Sequence, residues 1–537
     1  MGVPPLIHEP LTRLPGRSRL AARSPVRTGG VVAAATLAGG AVLLPMYERL
    51  STTAPITADS ANAVLQGQAM ATGNVLLSGW TLSGASFYAT DLPVYAVLAA
   101  IRGLTPAVAH EAGAAIYTLL VIAACFLARG RAHGSQGLLR MAVALVLLAA
   151  PAPGEAVELL LLGPFHAGTT LLLLAVLLIL DAFGDRLAGA AVAGVLMALA
   201  QLSDALALYV GVVPIALVAV HRLAWARRSR RTQRADVAML VAAVLSIPVS
   251  LLLLAEISRL GGFATLPLNG SFARMDDVPR NAGLAVEGVL LLFGANFFGQ
   301  PVASPATLGI LVHLAGVGFV LMAGRWALLA WQRGEESDRV TQVLLVAMGM
   351  DLAAYLFSNQ AIDLMTSRYL IPFLAFGSVL AGRVGADRLR AGRMRIAASG
   401  VAAAYVLFAA LTLRTPPALA PEAPLWAFLE RQHLTYGISA YWQASTVTVE
   451  SGGRVRVRAV QTASSPAGPY MWEADGSWYD PKRHGNDARF VVRDTSDPRS
   501  LQRNDVQASF GPPVATYRVG RYEVLVWDRN LLDDMPH

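Results

Sequence analysis

Long apolar runs separated by short polar or arginine-rich segments fill the chain from residue 29 to residue 413. A bilayer-crossing helix needs about 20 mostly apolar residues. The pattern predicts such helices near 29–47, 107–128, 138–151, 166–183, 187–201, 205–222, 236–258, 306–331, 339–357, 367–385 and 395–413. Residues 187–222 are read as two helices, which makes the expected count about eleven.

Three segments break the pattern. In 48–106, Asp59 or Ser60 is the expected cap of a helix with apolar contacts at Ala63, Leu65 and Met70. A Gly73-Asn74 turn and an aromatic stretch through Trp80, Phe87 and Tyr88 follow. The apolar run from Leu92 to Ile101 is too short to cross, so a half-helix lying in the membrane interface is expected. In 259–305, Gly261-Gly262, Pro267, Asn269-Gly270 and Pro279 are expected to interrupt regular structure, with a short amphipathic or re-entrant helix from Leu284 to Phe293. A proline-rich linker then opens 414–537, where residues 446–460 alternate with period two about Gly452-Gly453 and predict a hairpin. Arg489–Val492 and Tyr522–Trp527 read as strands and Leu425–Gln432 as a helix, so a small α/β domain is expected. The expected organisation is a basic segment 1–28, a transmembrane domain 29–413 and a C-terminal domain 414–537. The fold class is mainly α, a polytopic transmembrane helix bundle.

Composition supports the membrane reading. The chain is 55% apolar and 15% charged, with mean hydropathy +0.51, against about 25% charged residues in soluble domains. Soluble, fibrous and disordered classes are excluded. The net charge of +8 would suit nucleic acid as a partner, but its placement argues against that. Arg13, Arg17, Arg19, Arg23 and Arg27, then Arg129, Arg131 and Arg140, the run from Arg222 to Arg234, and the run from Arg383 to Arg395 fall on one set of alternate connections. The intervening segments 151–165, 202–204 and 358–366 contain acids and no Lys or Arg. Positive charge stays on the cytoplasmic side. The expectation is a multi-pass plasma membrane protein, N-terminus inside and C-terminal domain outside. The first run is read as a retained helix, not a cleaved signal. Cys125 stands alone in an apolar run, so no intramolecular disulfide forms.

Walker loops, His-Glu-x-x-His pairs and paired cysteines are absent from the sequence. The candidate chemistry is polar residues near the expected outer surface. Asp59 is placed to accept a proton from a hydroxyl, or to serve as a plain helix cap. Asp91 precedes the Pro93 helix start with the same two readings. His166, at a helix mouth, suits phosphate or metal binding, or a structural hydrogen bond. Asp204, between two apolar runs, faces a cavity or partner, or is a turn residue. Asp351 lies within a predicted span. Arg368 opens a late helix on the side where topology disfavours arginine; it suits phosphate binding or pairing with Asp363. Arg274 and Arg280 are weaker cationic candidates. No cofactor follows from these residues; a divalent metal stays open.

Asp59-Ser60-Ala61-Asn62-Ala63-Val64-Leu65-Gln66-Gly67, Leu92-Pro93-Val94-Tyr95 and Arg368-Tyr369-Leu370-Ile371-Pro372 together resemble the polytopic GT-C glycosyltransferases, which include protein O-mannosyltransferase-like and aminoarabinose-transferase-like enzymes. The resemblance covers most of 30–385 as architecture. It departs where many members carry Asp-Glu or Asp-Asp in place of Asp59-Ser60, which weakens a metal-binding reading, and where paired prolines are reduced to Pro93. It implies inverting transfer of a sugar from a polyprenyl-phosphate donor to a glycan, lipid or protein acceptor. Asp59 would be the base, Asp91 would orient acceptor or base, and Arg368, His166, Asp204 and Arg274 would form the phosphate and substrate side. The partners implied are the lipid-linked donor, the acceptor and membrane lipid. A transporter or lipid flippase predicts charges along the spans and paired broken helices; a non-catalytic scaffold predicts that Asp59→Asn is silent.

Overall fold

The computed structural model describes residues 25–536 apart from 185, 226–229, 268, 303, 336–337, 391 and 463–466. Arg13, Arg17, Arg19, Arg23, Arg227 and Arg228 of the predicted basic segments lie outside the described residues.

Each predicted apolar run is helical. In chain order the helices are α1 (Pro25–Ser51), α2 (Ala58–Ala71), α3 (Leu92–Arg102), α4 (Pro106–Arg129), α5 (Gly134–Leu148), α6 (Glu155–Leu161), α7 (Ala167–Phe183) and α8 (Leu187–Ser203). They continue with α9 (Val213–Trp225), α10 (Arg230–Arg259), α11 (Val278–Leu292), α12 (Pro305–Gln332), α13 (Arg339–Phe357), α14 (Ile371–Leu380) and α15 (Gly392–Thr412). Among the described residues, seven stretches are long and apolar enough to cross a membrane: Pro106–Arg129, Leu208–Trp225, Gln233–Arg259, Thr307–Gln332, Arg339–Phe357, Leu364–Leu389 and Arg395–Thr412. Helices α5, α7 and α8 are apolar but shorter. The expected break inside 187–222 is present, because Asp204 ends α8 and a π-turn over Leu208–Val212 leads into α9.

At one end of the bundle, arginines tie connections together. Arg222 Nε and Arg339 Nη2 reach one oxygen of the fully buried Asp236 at 3.2 and 2.7 Å. Arg383 bridges Asp181 at 3.2 Å and Asp338 at 2.9 Å, and Arg140 meets Asp387 at 2.7 Å. These arginines are helix clamps as well as charge markers.

The three segments outside the apolar pattern meet at the opposite end. Strand β1 (Trp80–Leu82) pairs in parallel with β2 (Ala264–Thr265) and antiparallel with a strand from the C-terminal region. That region contains α16 (Ala423–Arg431), β3 (Tyr436–Ser439), α17 (Tyr441–Glu450), β4 (Arg456–Gln461) and β5 (Gly468–Pro469). Then come β6 (Ala474–Asp475), which is the strand on β1, β7 (Phe490–Asp494), α18 (Arg503–Phe510), β8 (Ala515–Val519) and β9 (Tyr522–Val526). Its main sheet runs β5-β4-β3-β7-β9-β8, with β3 parallel to both β4 and β7.

The hairpin expected over 446–460 is not formed. Its first arm is the helix α17, and β4 returns parallel to β3 through this crossover. Residues Gln443–Val449 are all buried, so no one-sided helical pattern reaches the sequence. Thr446 and Thr448 donate their hydroxyls to the carbonyls of Gln443 and Ala444 at 2.9 and 3.0 Å, which makes the alternating polar positions compatible with a helix. Two smaller expectations also change. Thr57 caps α2, receiving Ser60 N–H at 3.1 Å and leaving Asp59 in the first turn. Pro279 starts a helix rather than interrupting one, because proline suits the first turn, and α11 runs from Val278, earlier than the expected Leu284.

Candidate functional site

Asp59 projects from the first turn of α2, where the positive end of the helix dipole favours a carboxylate. Its Oδ2 faces Arg368 Nη1 at 3.8 Å, and the two side chains keep 24% and 30% of their surface exposed. Arg368 therefore pairs with Asp59 and not with Asp363, whose Oδ1 instead caps the 3-10 turn Leu364–Leu370 by accepting Thr366 N–H at 3.1 Å. The separation exceeds a hydrogen bond, so Asp59 takes none of the guanidinium donors, one of which meets the Tyr369 side chain. The guanidinium also lies over the rings of Phe165 and Tyr369 at 5.2 and 5.6 Å, contacts that hold it without neutralising it.

Tyr369 links this pair to a second group, with its ring 4.8 Å from that of His166. His166 precedes α7 with a left-handed φ of 64°, a conformation that costs free energy for a residue with a side chain. Its Nδ1 lies 2.6 Å from Asp204 Oδ2, both side chains being buried. Asp204 thus combines both expectations: it ends a helix and it has a partner. The Asp91 carboxyl, 1% exposed, sits beside Asp204 and against Gly168. Burial, with the Asp204 charge adding to it, pushes Asp91 up to about 7. Its Oδ2 finds no hydrogen-bond partner among the described residues.

The sequence reading missed the contribution of the C-terminal region. The Tyr441 hydroxyl, at the start of α17, donates to Asp59 Oδ1 at 2.5 Å and lies 3.4 Å from Glu473 Oε2. One turn on, Ser445 donates to Asn62 Oδ1 at 2.5 Å. Glu473 is buried, with a left-handed φ of 53°. Burial, then the neighbouring Asp59 charge, pushes its carboxyl up to about 8. An aromatic pair, Tyr441-Trp442, after a short apolar strand was the available signal for the first residue; nothing local marks Glu473.

The structure brings together Asp59 and Arg368, and next to them His166, Asp204 and Asp91. Arg274 does not join them; it is exposed, before the 3-10 turn Met275–Asp277. Arg280 is spent on the carbonyls of Ala361 and Ile362, and Asp351 accepts Phe373 N–H at 3.0 Å within the bundle. A cavity of about 230 Å³ lined by Thr52, Ile56, Pro106, His110, Pro417 and Glu450 includes none of the candidate residues. Among the described residues no three His, Cys, Asp or Glu side chains are grouped to hold a metal. Asp59 faces a guanidinium and a phenol, so among the described residues its carboxylate is not grouped with the further acidic or imidazole ligands a divalent ion needs.

No protein-family model matches the chain, and no curated protein sequence matches it. Among solved structures, it is similar to the Archaeoglobus fulgidus oligosaccharyltransferase complex with Zn and sulfate, at 14% identity and a TM-score of 0.44, over 84% of this chain and 68% of that one. It is also similar to the archaeal oligosaccharyltransferase AglB from the same organism in complex with an inhibitory peptide and a dolichol-phosphate, at 14% identity and a TM-score of 0.46, over 86% and 69%.

Proposed function

We propose that this chain is a multi-pass membrane glycosyltransferase that moves a sugar, with inversion, from a polyprenyl-phosphate-linked donor to an acceptor hydroxyl at the end of the bundle where the non-spanning segments meet. The single observation that carries the reading is a half-open carboxylate–guanidinium pair, Asp59 and Arg368 at 3.8 Å. A lipid carrier keeps its phosphate at headgroup depth, so base and phosphate clamp must meet at a bundle end. Arg368 receives the donor phosphate, which competes with Asp59 for the guanidinium and stabilises the leaving oxyanion. Asp59, released from that pairing, takes the acceptor proton as the acceptor oxygen attacks the anomeric carbon and the sugar–phosphate bond breaks.

The buried residues act by position in this reading. His166, fixed by Asp204, supports Tyr369 and through it Arg368, and Asp91 packs against Gly168 beside them. Asp91 is too buried to touch substrate, so its role narrows from catalytic to positioning. The membrane concerned is the plasma membrane, with the C-terminal region outside, as the arginine distribution implies.

The test is sugar transfer from polyprenyl-phosphate donors by purified full-length protein. Asp59→Asn should retain donor binding and lose about 10²–10⁴-fold in turnover, the range for a general base. Arg368→Gln should weaken donor binding as well. Full turnover in Asp59→Asn would remove the base assignment and with it the reading.

A further inference from the structure

We infer that Tyr441 occupies the place of the acceptor hydroxyl, so that the structure is a closed resting state and the C-terminal region must shift from the 48–106 segment before an acceptor reaches Asp59. This rests on Asp59 being the base. A base of this kind binds its substrate through one contact, a hydroxyl donating to a carboxylate oxygen, and the Tyr441 hydroxyl makes that contact at 2.5 Å. The other oxygen is directed at Arg368. The phosphate side of the pair can therefore be approached while the acceptor side is filled by the protein itself.

The surface that carries Tyr441 lies between the C-terminal region and the 48–106 segment. Across it run the Tyr441–Asp59 and Ser445–Asn62 hydrogen bonds, the short pairing of Trp80 with Asp475 and Thr81 with Ala474, and Gly476 N–H donating to Gly79 at 2.9 Å. Trp478 adds an edge-on contact to Trp80 at 5.0 Å. Behind the seam, the C-terminal region keeps its own buried clusters, centred on Ile438, Val491 and Leu525 and on Val447, Val457 and Val524, made of C-terminal residues alone. The closed seam also holds costs that opening relieves. Glu473 is in a left-handed conformation, and the Trp80 indole N–H is buried without a partner among the described residues. The seam is polar at Tyr441 and Ser445 and apolar where Val449 of α17 enters the bundle's buried cluster, so opening parts one helix face while the two C-terminal clusters stay whole.

The experiment is amide hydrogen exchange on the full-length protein in detergent. It reads the cross-seam amides of 79–82 and 474–476 against the β7–β9 ladder. The seam amides should exchange at least tenfold faster than the ladder, and Tyr441→Phe, which keeps the ring but loses the hydroxyl, should speed them several-fold further. In the transfer assay the same variant should raise kcat/KM for acceptor without lowering kcat. Seam amides as protected as the ladder and unmoved in Tyr441→Phe would overturn the inference. So would a turnover loss in Tyr441→Phe like that of Asp59→Asn, which would make Tyr441 a residue that positions the base, or a sugar found on Tyr441 by intact-mass spectrometry, which would make it an acceptor. Failure of the base assignment is separate: it shows as full turnover in Asp59→Asn, whatever the seam does.

Discussion

Gly168 lies so close to Asp91 that a Cβ built there would overlap Oδ2. The sequence explains a glycine in an apolar helix by close helix packing, and Gly113, whose Cβ would strike the backbone of Leu161, fits that explanation. Gly168 is there for a carboxyl instead, a distinction no single sequence displays. Gly168→Ala is expected to cost about 1–3 kcal/mol through overpacking and to lower sugar transfer by displacing Asp91, read as a lower melting temperature and a lower kcat in one preparation. Glu473 supports a prediction about pH. Its carboxyl is raised to about 8 from an ordinary value of 4.5, so the folded state prefers it neutral. The stability linked to this group is complete below 4.5, falls as pH rises toward 8, and is absent above that. Glu473→Gln should therefore raise the melting temperature relative to wild type at pH 9 and leave it nearly unchanged at pH 4. A wild-type-like difference at both pH values would show that Glu473 is solvated.

At the scale of elements, run length located the apolar helices whether open like α10 or enclosed like α14. The enclosed crossover α17 was misread because Thr446-Val447-Thr448-Val449 alternates like a strand, its hydroxyls satisfied by its own backbone. Arg368 was identifiable because an arginine stood on the wrong side for topology, and the resemblance put Asp59 in the same site; that the two pair directly, in place of Arg368 with Asp363, was not legible. The clamp at the other end is similar, since Arg222 was readable as basic but not as buried. Asp236 holds α9, α10 and α13 together by receiving Arg222 and Arg339 on one oxygen. Removing one partner from a buried pair leaves an uncompensated charge and typically costs about 3–5 kcal/mol. Asp236→Ala should reach that range, measured by thermal unfolding in detergent. A change below about 1 kcal/mol would mean that the arginines find water or other acceptors.

For the whole molecule, the small sheet β2-β1-β6 constrains topology more than any helix does. It joins 48–106, 259–305 and the C-terminal region at one end of the bundle, so a membrane crossed by the bundle would leave all three on one side. The Asp181, Asp338 and Asp387 contacts gather other connections at the far end. The arginine distribution predicts a partition of the same form, because short connections concentrate charge on the cytoplasmic side; it could not foresee that the three segments touch. Both arguments meet in one labelling experiment, for which the only native thiol, Cys125, is buried. Single cysteines at the exposed positions Ser78, Ser271 and His484 should react together with an impermeant maleimide on intact cells. Cysteines at the exposed positions Ser135, in the first turn of α5, and Glu335, in the connection after α12, should react only after the membrane is opened. If the two sets exchange behaviour, the bundle is inverted and transfer would take place on the cytoplasmic face. If Ser78 and Ser271 label from opposite sides, the β1–β2 pairing is broken in the membrane, and the route from α2 to the candidate site has to be redrawn.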